Sequence, residues 1–291
     1  MNRVKKTPRQ IKLLFCEKLR GLYDEKEALQ ICQRLFYAFL GWTAAYVQLN
    51  NDVILEDRYW TRFEEALKKL MDAVPLQYVI GHTEFMGLEL KVAPGVLIPR
   101  PETEEMAARI IRESLFERDQ VIKVLDIGTG SGCLALAIKN AFRKADVTAL
   151  DNSQDALEVA RKNEGITRLG ITFLLFDFLD RAGWDTLPCF DLIISNPPYI
   201  PESDRTGMHP SVAENEPPEA LYVPDDNPLV FFDAIADFAS SHLILPGLVY
   251  TEIHERSGEA ASALFRNVGF NRVEVIQDFY GKDRFIRAES S

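Results

Sequence analysis

From about residue 121 to the C-terminus, short apolar runs alternate with stretches long enough for helices, and this alternation leaves few folds open. The apolar runs are VIKVLDIG (121–128), DVTALD (146–151), ITFLLFD (171–177), FDLIISN (190–196), GLVYTEI (247–253), RVEVIQD (272–278) and RFIRAE (284–289). Strands that are apolar throughout must be covered on both faces, so the pattern predicts a parallel, doubly wound, Rossmann-like α/β sheet. The last two runs are separated only by a few residues around Tyr280-Gly281-Lys282. A connection that tight joins antiparallel neighbours, so the sheet is expected to end in an antiparallel hairpin at its C-terminal edge.

The first 75 residues read differently. Leu29, Cys32, Leu35, Phe36, Phe39 and Leu40 recur at helical spacing, and Gly41 supplies a stop. Phe63, Ala66, Leu67, Leu70 and Met71 form a second stripe. Residues 1–75 are therefore expected to make a small helical domain. Pro75 breaks the pattern, and residues 76–100 alternate around Phe85, Leu88, Leu90 and Val92 between Gly81, Gly87 and Pro94-Gly95. That segment predicts a β-hairpin linker, with Thr103 opening the next helix and the α/β domain filling 101–291.

The chemistry concentrates at strand ends. Asp126-Ile127-Gly128-Thr129-Gly130-Ser131-Gly132 lies between the first strand of the sheet and the helix CLALAIKNAF. Glycines at such a junction let the backbone turn sharply and come close to a ligand. Cys133 stands where a dinucleotide fingerprint would place its third glycine, which disfavours NAD. Asp151 ends the second strand, where a carboxylate can accept from both ribose hydroxyls. Asp177 and Phe178 end the third, placed to accept from an adenine amino group and to pack on the base. Together these residues predict a nucleoside-bearing cofactor.

The fourth strand runs into Asn196-Pro197-Pro198-Tyr199, the most specific signal in the chain. An amide or exocyclic amine nitrogen is a poor nucleophile because its lone pair is delocalised, and its N–H is too weakly acidic for an ordinary base. The Asn196 side-chain carbonyl and the Pro197 backbone carbonyl can instead hold both protons of an NH₂ group. This turns the lone pair toward an electrophilic methyl group and favours the positive charge that grows on nitrogen. Proline fixes its own φ and holds the preceding residue extended, so the two acceptors are rigid. Tyr199 offers a flat face for a planar substrate.

With these motifs in order, the sequence resembles the HemK/PrmC family of release-factor glutamine N5-methyltransferases. Further stretches carry the resemblance: Pro75-Leu76-Gln77-Tyr78-Val79-Ile80-Gly81, Glu84-Phe85-Met86-Gly87, and Leu97-Ile98-Pro99-Arg100-Pro101-Glu102-Thr103-Glu104. Glu216-Pro217 with Ala220-Leu221, then Gly269-Phe270 and Asp283-Arg284, match in the C-terminal half, while residues 1–70 match only in helical character. The resemblance implies a class I methyltransferase domain that uses S-adenosyl-L-methionine. It also implies methyl transfer to the glutamine of the GGQ tripeptide in peptide chain release factors. Carried over by position, Gly128 to Gly132, Asp151 and Phe178 serve the cofactor, and Asn196 to Tyr199 the substrate glutamine. Asp126, Thr129, Ser131, Asp177 and Asn196 complete the expected cofactor site, and residues 1–75 are expected to dock the substrate protein. The stretch Val223-Pro224-Asp225-Asp226-Asn227-Pro228-Leu229 departs from the shorter Asp-Gly-Leu of many members.

Composition narrows the partners. The Asn-Pro-Pro-Tyr motif is shared with amino-methyltransferases that act on bases in DNA or RNA, which is the main alternative. A formal net charge of −11 and the lack of a dense Lys/Arg run beyond the N-terminus disfavour it. A non-catalytic binding module is disfavoured by the intact motif, since binding alone does not need Asn196. No apolar run is long enough to cross a membrane, and the N-terminal residues do not form a secretory signal, so a cytosolic location is expected. The four cysteines form no CxxC pair and are expected to be small core residues. The four histidines show no metal-ligand spacing, and no metal is expected.

Overall fold

A computed structural model describes residues 6–113 and 115–290. Its contacts divide the chain into two compact units, one made of 1–81 with 209–215 and the other of 82–208 with 216–291.

The first unit is helical: α1 (Pro8–Lys18), α2 (Glu25–Leu40), α3 (Ala44–Leu49), α4 (Asp57–Met71) and α5 (Leu76–Ile80). Local chemistry sets the helix ends. Asp24 and Glu27 form a reciprocal capping box at the start of α2, and Gly41 ends it in the left-handed region at φ 69°. Ile11, Phe15, Cys32, Leu35, Phe36, Phe63 and Leu70 fill one core. Met71, expected in the α4 stripe, is 47% exposed, because it sits one residue past Leu70 on the helix circumference.

The second unit opens with the hairpin β1 (His82–Phe85) and β2 (Leu88–Lys91), turning at Met86-Gly87. It continues through α6 (Pro101–Glu113), β3 (Lys123–Ile127), α7 (Cys133–Ala141), β4 (Asp146–Asp151), α8 (Gln154–Thr167), β5 (Thr172–Leu175), β6 (Phe190–Ser195) and β7 (Ile200–Pro201). The short α9 (Pro210–Ala213) falls in the segment grouped with the helical unit. Within that unit His209 lies 5.5 Å from the Tyr23 ring, and Asn215 donates to the Ala73 carbonyl at 3.1 Å. After it come β8 (Tyr222–Val223), α10 (Val230–His242), β9 (Leu243–Glu252), α11 (Gly258–Asn267), β10 (Arg272–Gln277) and β11 (Asp283–Ser290).

The main sheet has the order β10-β11-β9-β6-β3-β4-β5. Strands β9 to β5 are parallel, and β11 is antiparallel to both β9 and β10, as the terminal hairpin requires. Alternate residues of each strand feed two cores. Val124, Val147, Leu192, Ile194 and Phe285 pack with α6 and α7, while Leu125, Leu150, Ile193, Val249 and Ile286 pack with α10 and α11. The chain runs outward from β3 to β5, then returns to β6 on the other side of β3. This reversal leaves a crevice above the C-terminal ends of β3 and β6, where ligands of open α/β sheets bind.

Three differences from the sequence reading have physical causes. The units divide at Gly81, past Pro75, because α5 packs its Leu76 into the helical core, so 76–100 is no single linker. Helix α6 begins at Pro101, a residue preset for the first helical turn, so Thr103 lies inside the helix and is buried. Of the cysteines, Cys32 and Cys133 are buried and Cys16 half-buried, whereas Cys189 is exposed in the turn before β6. Among the described residues no helix is long and apolar enough to cross a membrane.

Candidate active site

The glycine loop is held from below. Gly128 and Thr129 donate backbone N–H to the Leu150 carbonyl at 2.9 and 3.0 Å, and Gly132 N–H donates to Thr129 O at 2.8 Å. Gly128, Gly130 and Gly132 take φ of 71°, 55° and 82°, in the left-handed region that side chains resist. At Gly132 space is short as well, since a Cβ would stand 3.3 Å from the Ala160 Cβ. Asp126 is fully buried beneath the loop. One of its carboxylate oxygens accepts from Thr129 Oγ1 at 2.6 Å and from Ala135 N at 3.1 Å, so it caps the start of α7. The other has no hydrogen-bond partner among the described residues. Burial pushes the Asp126 carboxyl up to about 7, against the hydrogen bonds of Thr129 and Ala135. Asn163 of α8, also fully buried, donates to the Ser131 carbonyl at 2.9 Å and brackets Lys91 of β2.

Asp151 closes this side. Its two oxygens accept from Gly130 N at 2.8 Å and Ser153 N at 2.9 Å, which fixes the plane of the carboxylate and leaves each oxygen a second lone pair. Burial raises its pKa, and the backbone donors oppose that. Farther along, the exposed Asp177 accepts from Leu179 N at 3.0 Å. Phe178 is buried against Trp184 and Phe238, with ring centroids at 5.4 and 5.3 Å.

These groups surround one cavity of about 980 Å³, open mouth included. It is lined by Gly128, Thr129, Gly130 and Ser131, by Asp151, Asp177 and Phe178, and by Asn196, Pro197 and Pro198. Asp126, Gly132 and Tyr199 do not line it. The 95–100 stretch contributes Gly95, Val96, Leu97, Pro99 and Arg100 to the wall. The buried Glu216 holds that stretch, accepting from Ile98 N at 3.1 Å and from Arg100 at 2.6 Å.

At the β6 end, Asn196 Nδ2 donates to Thr103 Oγ1 at 2.9 Å. Thr103 in turn donates to Glu252 Oε2 at 2.7 Å, and Tyr199 OH donates to Glu252 Oε1 at 2.9 Å. Tyr199 is thus a half-buried ring with its hydroxyl engaged. Burial and the neighbouring Glu252 hold that phenol well above its usual range.

Comparison with known proteins decides the family. The methyltransferase small domain family matches residues 103–213, and the PrmC N-terminal domain family matches 14–81. The release factor glutamine methyltransferase of Bacteroides thetaiotaomicron is 36% identical over 272 residues, 94% of this chain and 96% of that one. Its counterpart in Lactococcus lactis is 40% identical over 223 residues, 76% of this chain and 80% of that one. The chain belongs to the release factor glutamine methyltransferases. A solved 16S rRNA N2 G1207 methyltransferase of Thermus thermophilus shares the fold, with a TM-score of 0.52 at 17% identity, covering 72% of this chain and 50% of that one. The architecture is the class I methyltransferase fold.

Within this methyltransferase, sequence reasoning missed Thr103, Glu252 and Asn163. Thr103 was read as a helix opener. Glu252 carried a usable signal, a carboxylate ending an otherwise apolar strand. Asn163 carried none, because its partners Lys91 and Ser131 lie far away in sequence.

Proposed function

We propose that this methyltransferase transfers a methyl group from S-adenosyl-L-methionine to the side-chain amide N5 of the glutamine in the GGQ tripeptide of peptide chain release factors. The observation that carries this reading is the state of Asn196. One N–H of its amide is donated to Thr103 Oγ1 at 2.9 Å, which sets the nitrogen on that side and leaves the carbonyl for an N–H of the acceptor. A planar amide presents two such N–H groups, and Pro197 O is the second acceptor.

The cavity fits the cofactor. Asp151 keeps acceptor capacity on both oxygens for a ribose diol. The buried Ser131 Oγ, on the wall beside the Cys133 thiol, suits the polar end of an amino-acid moiety. Phe178, Leu134, Leu150 and Pro198 give an apolar wall for a base. When bound, the cofactor supplies an electrophilic methyl group on a sulfonium.

The protein's own contribution is orientation. Asn196 Oδ1 and Pro197 O hold the two amide protons, which aims the nitrogen lone pair at the methyl group. The same two dipoles stabilise the positive charge developing on nitrogen. Once the N–C bond has formed, the nitrogen bears a surplus, strongly acidic proton, which is lost to water. Asn196→Ala is expected to lower turnover about 100-fold while cofactor binding survives, as for removal of one aligned polar group from a dry site.

A glutamine side chain is too small to identify its protein. Specific interfaces bury about 800 Å² per partner, and we assign that role to the helical unit, as the surface that docks the body of the release factor. Action on release factors supports a cytosolic location beside the translation machinery. The test is mass spectrometry of a purified release factor after incubation with enzyme and cofactor, beside DNA and RNA acceptors with labelled cofactor. One added methyl on the GGQ glutamine is expected. Label in nucleic acid alone, or none on that glutamine, overturns the reading.

A further inference from the structure

Two buried polar side chains continue from Asn196: Thr103, which also lines the cavity, and Glu252, which does not. Thr103 on α6 is 2% exposed and Glu252 at the end of β9 is 1% exposed. A hydroxyl carries a single proton, and Thr103 gives its proton to Glu252 Oε2 at 2.7 Å. An ionised carboxylate can only accept, so the direction of that bond is fixed. Thr103 Oγ1 must then accept from the atom 2.9 Å away on Asn196, and only an N–H can supply that bond. The amide of Asn196 is therefore held with Nδ2 toward Thr103 and Oδ1 on the opposite side. The same carboxylate takes the Tyr199 hydroxyl on its second oxygen, so both polar side chains of the motif share one anchor.

We infer that Thr103 and Glu252 are positioning residues that lock the Asn196 amide with its carbonyl toward the acceptor nitrogen. The two faces of an asparagine amide are nearly identical in shape and opposite in polarity. Rotated by half a turn, Asn196 would present N–H groups to an acceptor that itself offers N–H, and transfer would stop. The locked fraction therefore sets turnover. Two further charges reach Glu252: Arg284, which also pairs with Asp278, favours the ionised form, and Glu102 on α6 opposes it. Burial is the largest influence and raises the Glu252 pKa, while the donations from Thr103 and Tyr199 hold it down. Those donations are what keep an acceptor-only carboxylate possible in so dry a place.

The inference rests on the glutamine reading above, and its test separates the two. Thr103→Val keeps the shape and removes the hydroxyl. It is expected to lower kcat on the release factor about 10- to 100-fold, the range for a lost group that orients a reacting side chain, with cofactor Kd unchanged. Thr103→Ser should restore most of the rate. Glu252→Gln lets the hydrogen bonds run in either direction, so it should fall between wild type and Thr103→Val. An independent readout needs no acceptor: the Asn196 side-chain NH₂ signal of ¹⁵N-labelled protein. Its hydrogen exchange should be slow in wild type and Thr103→Ser, and fast in Thr103→Val. Unchanged kcat in Thr103→Val, or a lower kcat with an unchanged Asn196 signal, overturns the positioning role. If the wild-type enzyme leaves the release factor unmethylated, the glutamine reading fails, and the Asn196 signal still decides whether the amide is locked.

Discussion

Removing Asn163 should cost the catalytic unit more than a typical surface change, and the amount follows from what the side chain holds. Its Oδ1 accepts from Lys91 N at 2.7 Å, and its Nδ2 donates to Lys91 O at 3.1 Å and to Ser131 O at 2.9 Å. Asn163 is fully buried, so no outward rotation can relieve a loss. Asn163→Ala deletes three hydrogen bonds and leaves one N–H and two carbonyls unpaired. At about 1 kcal/mol net per bond, with a further penalty for buried unpaired groups, the loss is about 3–5 kcal/mol. For a unit of this size, each kcal/mol lowers the melting temperature by roughly 2–4 °C, so a fall on the order of 10 °C is expected. Cofactor affinity should drop with it, because the Ser131 carbonyl belongs to the glycine loop. Asn163→Asp keeps the acceptor for Lys91 N but turns oxygen toward two carbonyls, and should be at least as damaging. Thermal melts followed by circular dichroism, with calorimetric titration of cofactor, measure both effects. A melting temperature matching wild type for Asn163→Ala would refute the account.

Asp151→Ala should weaken cofactor binding by about 1.5–3 kcal/mol, the worth of a charged hydrogen-bond acceptor, and an unchanged calorimetric Kd would exclude the ribose role. Asp126, raised by burial to about 7, should make the folded protein lose stability as pH rises from about 4, where a free aspartate ionises, to about 7. Asp126→Asn removes that titration and keeps an acceptor for Thr129 and Ala135, so urea midpoints of the variant should vary less than those of wild type across that window; parallel curves would argue against the assignment. On the helical unit, Leu49 and Ile54 are 85% and 69% exposed. The double change Leu49→Asp with Ile54→Asp should raise KM for an intact release factor and leave KM for a short GGQ peptide unchanged, and equal KM values on the intact factor would count against docking by this face.

Much of the fold could be read locally because hydrophobic periodicity is a local property. The FDLIISN run corresponds to β6 at Phe190–Ser195, and RVEVIQD to β10 at Arg272–Gln277. The cavity's glycine wall was legible for the same reason, since a strand, a glycine loop and a helix are contiguous in sequence. Satisfaction of buried polar groups is not local. Asn163 meets Lys91 across 72 residues, and Thr103 meets Glu252 across 149. His209 and Asn215 find their partners Tyr23 and Ala73 in the helical unit, although they follow the Asn-Pro-Pro-Tyr motif in sequence. No window of the chain holds both halves of any such pair.

Strand order supplies what the windows lack. Strands β6 and β9 are parallel neighbours, with Ser195 opposite Thr251. The next residue on each strand is then Asn196 on one and Glu252 on the other. One step of register thus brings the motif's amide beside the carboxylate that ends β9. Helix α6 packs on β9 and inserts Thr103 between the two, within reach of both. The polarity of the Asn196 amide is accordingly a consequence of sheet topology. A chain with the same motif but a different strand beside β6 would present the same four residues with no anchor to tell the carbonyl from the amine.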